Sequence, residues 1–137
     1  WGTRLYRTPA GLRVLAVHRT FDPASEEVAA TFAAMGTDDV YARMCLRQRC
    51  FRARVTPKPW RAGMSGRARI PGGLWPVNPE VEPQRADWVA EYDALSEGYA
   101  ACHFLEEIGG APAHPAALAV QELHDSLCRA ASGLPLA

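Results

Sequence analysis

Ten of the 28 residues from Pro57 to Gln84 are proline or glycine. Proline lacks the N–H that a helix or a ladder needs, and glycine gives up the most backbone entropy on ordering. No helix or internal strand is therefore expected to run through this stretch. It divides the chain into a first half ending near Trp60 and a second starting near Arg85. Connections this long without secondary structure are unusual inside a domain and tend to carry function or to be disordered. The piece Arg61–Arg69 reads as mobile, with Trp60 and Trp75 pinning the ends of the connection to the core.

The whole reads as a single domain over residues 1–137: a basic, strand-containing half (1–60), the Pro/Gly-rich loop (57–84) and an acidic helical half (85–133). With 48% hydrophobic and 22% charged residues, the composition is that of a globular chain able to bury a core. No apolar run approaches the ~18 residues that span a bilayer, so no membrane partner is expected. The first residue is Trp1 and no leader pattern follows, which suits a processed chain or one cut from something longer. The expected location is cytoplasmic.

Residues 4–8 and 12–20 read as two strands joined by Thr8-Pro9-Ala10-Gly11, a tight turn with Pro at its second position and Gly at its fourth. Asp22-Pro23 opens a helix bearing Val28, Phe32 and Met35 on one face and ending at Gly36. Thr37-Asp38-Asp39 caps a second helix to about Arg47, with Tyr41, Met44 and Cys45 inward and Arg43 and Arg47 sharing a face. Residues 50–56 alternate and read as a third strand, with Arg52 and Arg54 on its outer side. Trp88, Tyr92, Leu95, Tyr99 and Cys102 recur at helical spacing and predict one long helix over 86–108. A last helix starts at His114-Pro115, with Val120, Leu123, Leu127 and Ala131 inward. The fold class is α+β: a small antiparallel sheet (β-β-α-α-β) packed on helices, with two C-terminal helices after the long loop.

Zero net charge conceals a segregation. Residues 1–69 hold 13 basic and 5 acidic side chains, and residues 70–137 hold 2 and 10. Nine basic residues and no acid lie between Arg43 and Arg69, and every basic residue of the chain except Lys58 is arginine. The guanidinium fork suits phosphate and carboxylate. Arg43, Arg47, Arg52, Arg54, Lys58 and Arg61, with Trp60 among them, form the candidate phosphate-binding set. Arginine beside aromatic rings is how single-stranded nucleic acid is often held. The plainer possibility is that the acidic half folds against these arginines and neutralises them.

Cys45-x4-Cys50, the adjacent Cys102-His103 and His124-x3-Cys128 supply metal-ligand types, but not at the spacing of a standard zinc module. Cys45, Cys102 and Cys128 occupy apolar helix positions, where cysteine acts as a small hydrophobe. No cofactor or metal is expected from the spacing, and nothing calls for disulfides. Cys102 and His103, neighbours on a helix, would point about 100° apart and cannot serve as a nucleophile and base. No phosphate-loop, nucleophile-elbow or metalloprotease pattern is present, so a catalytic set is not expected.

The segment Tyr6-Arg7-Thr8-Pro9-Ala10-Gly11-Leu12-Arg13-Val14 resembles the second motif region of the archaeo-eukaryotic primase-polymerase superfamily. There a Gly turn leads into a strand bearing a nucleotide-binding His. Arg13 stands at that position, and no Asp-x-Asp pair precedes it. The resemblance covers nine residues and implies, at most, a truncated nucleotidyl-transfer domain without its metal-binding acids. The leading expectation is non-catalytic binding of nucleic acid or polyphosphate. The alternative is a protein-interaction or self-assembly module using the complementary halves, with an acidic protein surface or a second copy as partner.

Overall fold

The computed structural model describes every residue except Ser65, Arg67, Ala68 and Leu74. Three of these belong to the Arg61–Arg69 stretch, so the reading of that piece lies partly outside the described residues. Strands β1 (Thr3–Thr8) and β2 (Gly11–Ala16) form the expected hairpin, with β2 ending at Ala16 rather than running to Thr20. Thr8 closes its turn: the hydroxyl oxygen accepts from Ala10 N at 3.2 Å and the hydroxyl donates to the Gly11 carbonyl at 3.1 Å. Helices α1 (Glu26–Ala34) and α2 (Asp39–Gln48) follow, then the long loop, which ends earlier than expected in a 3-10 turn (Pro79–Val81) running into α3 (Glu82–Ser96), then β3 (His103–Ile108) and α4 (Pro115–Cys128). The sheet is antiparallel in the order β2-β1-β3. The α+β class, the small antiparallel sheet and two helices after the loop are all present. Among the described residues no helix is long and apolar enough to cross a membrane.

Side-chain alternation decides what the sheet presents inward. Tyr6 lies opposite Arg13 on β2 and Phe104 on β3, so these three share a face with Arg4, two residues from Tyr6. That face meets α4 edge-on: the Tyr6 and His124 rings are 4.7 Å apart. The core is centred on Tyr6, Ala101, Cys102, Cys128 and Ala130, with Leu15, Val55 and Phe104 packed against it.

Four expectations are corrected. The third strand is not residues 50–56 but His103–Ile108. Residues 51–55 run unpaired; their alternation satisfies an extended chain, but a strand also needs a ladder, and β1 finds its partner in β3. The long helix accordingly stops at Ser96, just before Gly98, and the helical spacing that continues to Cys102 is coincidental. Trp60 and Trp75 do not pin the loop: they are 50% and 72% exposed. Instead Ala62 and Met64 are buried, and α3 holds the connection through Tyr92, whose hydroxyl donates to the Pro57 carbonyl (2.7 Å), and Arg85, which donates to that of Pro71 (3.0 Å).

The fourth correction is the rotation of α4. Val120 and Leu123 are 58% and 61% exposed, with Leu127 and Ala131 also outside, while His124 and Cys128 face inward. Leaving a leucine in water forfeits about 1.5–3 kcal/mol. Leaving the arginines of the sheet's inner face buried without partners costs more, about 3–5 kcal/mol for a broken buried pair. The helix turns its polar edge to Arg4 and Arg13 for that reason. Capping is otherwise close to expectation: Asp38 caps α2 and His114 caps α4, whereas α1 starts at Glu26 under Ser25 rather than at Pro23. Asp22 serves the preceding turn, accepting from Ala24 N at 2.9 Å.

Candidate functional site

Three backbone links place the centre of the site. Ala101 N donates to the Cys128 carbonyl (3.0 Å), Phe104 N to that of Ala130 (3.0 Å), and Ala137 N to that of Ala100 (3.2 Å). The entry to β3 is thereby stitched to the end of α4, which sets Cys102 beside Cys128. His124 stands one turn before Cys128 on the same helix face. The two Sγ atoms and a His124 ring nitrogen lie within 4.8 Å of one another, and all three residues are buried. Cys102 Sγ is 3.9 Å from His124 Nε2.

Arg13 reaches this cluster from β2. Its Nη1 lies 2.7 Å from His124 Nε2, 3.6 Å from Cys128 Sγ and 3.8 Å from Cys102 Sγ, and its Nη2 donates to the Arg54 carbonyl at 2.9 Å. A guanidinium has no acceptor, so Nε2 accepts and the imidazole proton sits on Nδ1. From there it is donated to Asp125 Oδ1 at 2.8 Å. Asp125 is held in turn by Arg4 Nη2 at 3.0 Å. Arg4 Nε donates to the Tyr6 oxygen at 3.0 Å, and Nη1 pairs with Glu107 at the surface. Among the described residues no buried side-chain nitrogen or oxygen is left without a partner.

The electrostatics follow from these contacts. The hydrogen bond from the Cys102 thiol overcomes burial and, with His124 and Arg13, brings Cys128 down to about 5. The same bond, with burial, pushes the Cys102 thiol up, so the pair shares one proton between unequal sulfurs. Burial raises Asp125, but the hydrogen bond from His124 and the charge of Arg4 outweigh it and hold the carboxyl below its ordinary value. Burial opposes a charged His124, while Cys128 and Asp125 pull it upward more strongly. With Arg13 in place, however, Nε2 faces a donor, and the neutral ring is the form that fits.

The sequence-predicted residues lie directly over this cluster and beside it. Arg52 and Arg54 are exposed in the extended segment 51–56, which lines an open groove of about 560 Å³. The groove's floor is tied to the cluster by the Arg54 carbonyl. Arg43 and Arg47 line a second depression with Val40 and Met44 on α2. The two surfaces join where Cys50 N donates to the Cys45 carbonyl of α2 at 3.3 Å. Lys58 sits 5.1 Å from the Trp60 ring centroid, and Arg61 is half-buried. The structure thus gathers Arg43, Arg47, Arg52 and Arg54 along neighbouring elements, with Lys58, Trp60 and Arg61 continuing into the loop.

Sequence reasoning did not reach Arg13, Arg4, Tyr6 and Asp125, nor the convergence of Cys102 with His124 and Cys128. The His124–Cys128 spacing and the His124-Asp125 neighbours were visible signals; the approach of Cys102 from an assigned helix was not. Cys102 and His103 do diverge, but on a strand entry: His103 Nε2 bonds the Leu134 carbonyl at 2.6 Å. Arg13, at the position the primase-polymerase resemblance singles out, is committed inward rather than to a surface cleft. The sequence matches no protein-family model, and no curated protein or solved structure matches it.

Proposed function

We propose that this chain is a non-catalytic domain that binds nucleic acid or another polyphosphate through Arg43, Arg47, Arg52, Arg54, Lys58 and Arg61. One observation carries the reading. Arg43, Arg47, Arg52 and Arg54 are exposed to solvent, and the ion pairs Arg4–Glu107, Arg4–Asp125 and Arg19–Glu27 do not involve them. An exposed guanidinium is available to phosphate, which supports this reading over internal neutralisation. Half-exposed Phe51 and Trp60 stand among them as stacking surfaces. Phosphates would be met by the arginines and bases by the rings, with modest sequence selectivity.

The test is fluorescence anisotropy with labelled single-stranded and duplex oligonucleotides at low salt, run beside Arg52→Ala plus Arg54→Ala. Micromolar or tighter binding, weakened at least tenfold by the double substitution, supports the reading. Absence of binding, or binding indifferent to these two residues, contradicts it.

A second reading, self-association or docking of a protein partner, is favoured by a different observation. Val120, Leu123 and Leu127 leave an apolar stripe of α4 in solvent. The accessible surface is 9035 Å², against about 7,000 Å² expected for a compact monomer of this mass. Sedimentation analysis across a concentration series tests it: a concentration-dependent dimer supports this reading, and a monomer throughout leaves only a heterologous partner.

A further inference from the structure

The buried cluster beneath the arginine-rich segment has the composition of a metal site rather than of ordinary core. Two sulfurs and one imidazole nitrogen lie within 4.8 Å of one another, brought together from the entry to β3 and from one face of α4. A tetrahedral zinc ion takes its donors at ~2.0–2.3 Å, which puts the donors about 3.3–3.8 Å apart. The Cys102 Sγ to His124 Nε2 separation of 3.9 Å is within a few tenths of an ångström of that. The remaining ring nitrogen is already committed: Nδ1 donates to Asp125 at 2.8 Å, and Asp125 is anchored by Arg4. This carboxylate–imidazole arrangement fixes the tautomer and puts the lone pair on Nε2, as in established zinc sites.

Arg13 supplies the second half of the argument. Its Nη1 stands 3.6 and 3.8 Å from the two sulfurs, the spacing a fourth tetrahedral vertex would have from them, and hydrogen-bonds His124 Nε2 at 2.7 Å. A positive charge already sits against these lone pairs. We propose that Cys102, His124 and Cys128 bind zinc, with Arg13 as the cation that zinc displaces from them. Zinc in this site takes the Cys128 and Cys102 sulfurs as thiolates, the Cys102 thiol proton leaving to solvent, and the His124 Nε2 lone pair. Arg13 gives up its contact with Nε2, and the fourth position opens on the side of the Arg54 carbonyl. Because Arg13 also bonds that carbonyl, occupation of the site bears on the floor of the groove that carries Arg52 and Arg54.

The experiment uses the full chain, purified under reducing conditions, titrated with zinc against a chromophoric chelator and separately with cobalt(II). One zinc per chain is expected, with a thiolate-to-cobalt charge-transfer band and the d–d bands of a tetrahedral ion. Cys128→Ser and His124→Ala should each weaken zinc at least tenfold, and Cys50→Ser, outside the cluster, should bind as the wild type does. Arg13→Ala, or Arg13→Gln should the first variant fail to fold by circular dichroism, should bind zinc at least tenfold more tightly, because the competing cation is gone. Three results would overturn the proposal: no stoichiometric zinc in the reduced wild type, zinc binding indifferent to Cys128→Ser, or Arg13 variants that fold and bind zinc no better. Quantitative formation of a Cys102–Cys128 disulfide that zinc does not prevent would likewise overturn it, assigning the pair to redox chemistry.

Discussion

Replacing Asp125 by alanine should destabilise this domain far more than removing the other carboxylate on the same arginine. Asp125 accepts from His124 Nδ1 at 2.8 Å and from Arg4 Nη2 at 3.0 Å. In Asp125→Ala the buried His124 N–H loses its acceptor and the Arg4 guanidinium loses its less exposed counter-charge. Each such loss costs about 1–3 kcal/mol. The Arg4 side chain, 14% exposed, keeps Tyr6 as a neutral acceptor but only Glu107, 67% exposed, as a counter-charge. The total is about 3 kcal/mol. Unfolding entropy of ~2.1 cal/mol/K per residue makes that roughly a 10 °C fall in Tm for a chain of this length. Glu107→Gln breaks only a screened surface pair worth about 0.5 kcal/mol, hence about 2 °C. Thermal and urea unfolding at neutral pH in reductant measure both. Asp125 is held below its ordinary pKa, so the wild type's advantage is complete above the normal carboxylate range. It disappears as the pH falls through the lowered value. Equal losses in the two variants, or a loss below 1 kcal/mol in Asp125→Ala, would refute the buried network.

Other outcomes follow from single contacts. In the metal-free protein one thiol should ionise near pH 5, seen as thiolate absorbance that Cys128→Ser abolishes. Its contribution to stability is complete above the ordinary thiol pKa and is lost as pH falls through about 5; a single titration at the ordinary thiol value would contradict the Cys102–Cys128 hydrogen bond. A Cβ on Gly109, at φ +86°, would stand 2.1 Å from the Trp1 carbonyl oxygen. Gly109→Ala should therefore cost about 3 kcal/mol or more in urea unfolding, combining a strained φ with a displaced neighbour, whereas Gly110→Ala meets nothing within 4 Å and should be near neutral. Trp60→Ala should leave Tm within about 2 °C, since the ring is half exposed, while weakening oligonucleotide binding by about 1–3 kcal/mol through lost stacking.

The hairpin, both early helices, the loop and the start of α4 were legible because their signals are local. A Pro-Ala-Gly turn, an Asp38 cap and a His-Pro entry each fix backbone geometry within four residues. The third strand was not legible, because pairing is decided by the partner: residues 50–56 alternate as well as 103–108 do, and only the second segment lies beside β1. The rotation of α4 was hidden for a related reason. Apolar spacing favours burying Val120, Leu123 and Leu127, and what overrides it is a pair of arginines more than 100 positions earlier in the chain. The candidate arginines were readable from charge segregation alone; the cluster beneath them required the fold to bring residues 13, 102, 124 and 128 together.

The most direct test of the proposed function is the salt dependence of binding to a single-stranded oligonucleotide, measured for the wild type and for Arg52→Ala plus Arg54→Ala. Each phosphate contact contributes about −0.7 to the slope of log K against log salt. If both arginines meet phosphate, the double variant's slope should be shallower by about 1.4. Binding that is absent at about 50 mM salt, or a slope the two substitutions leave unchanged, would contradict the assignment of this face.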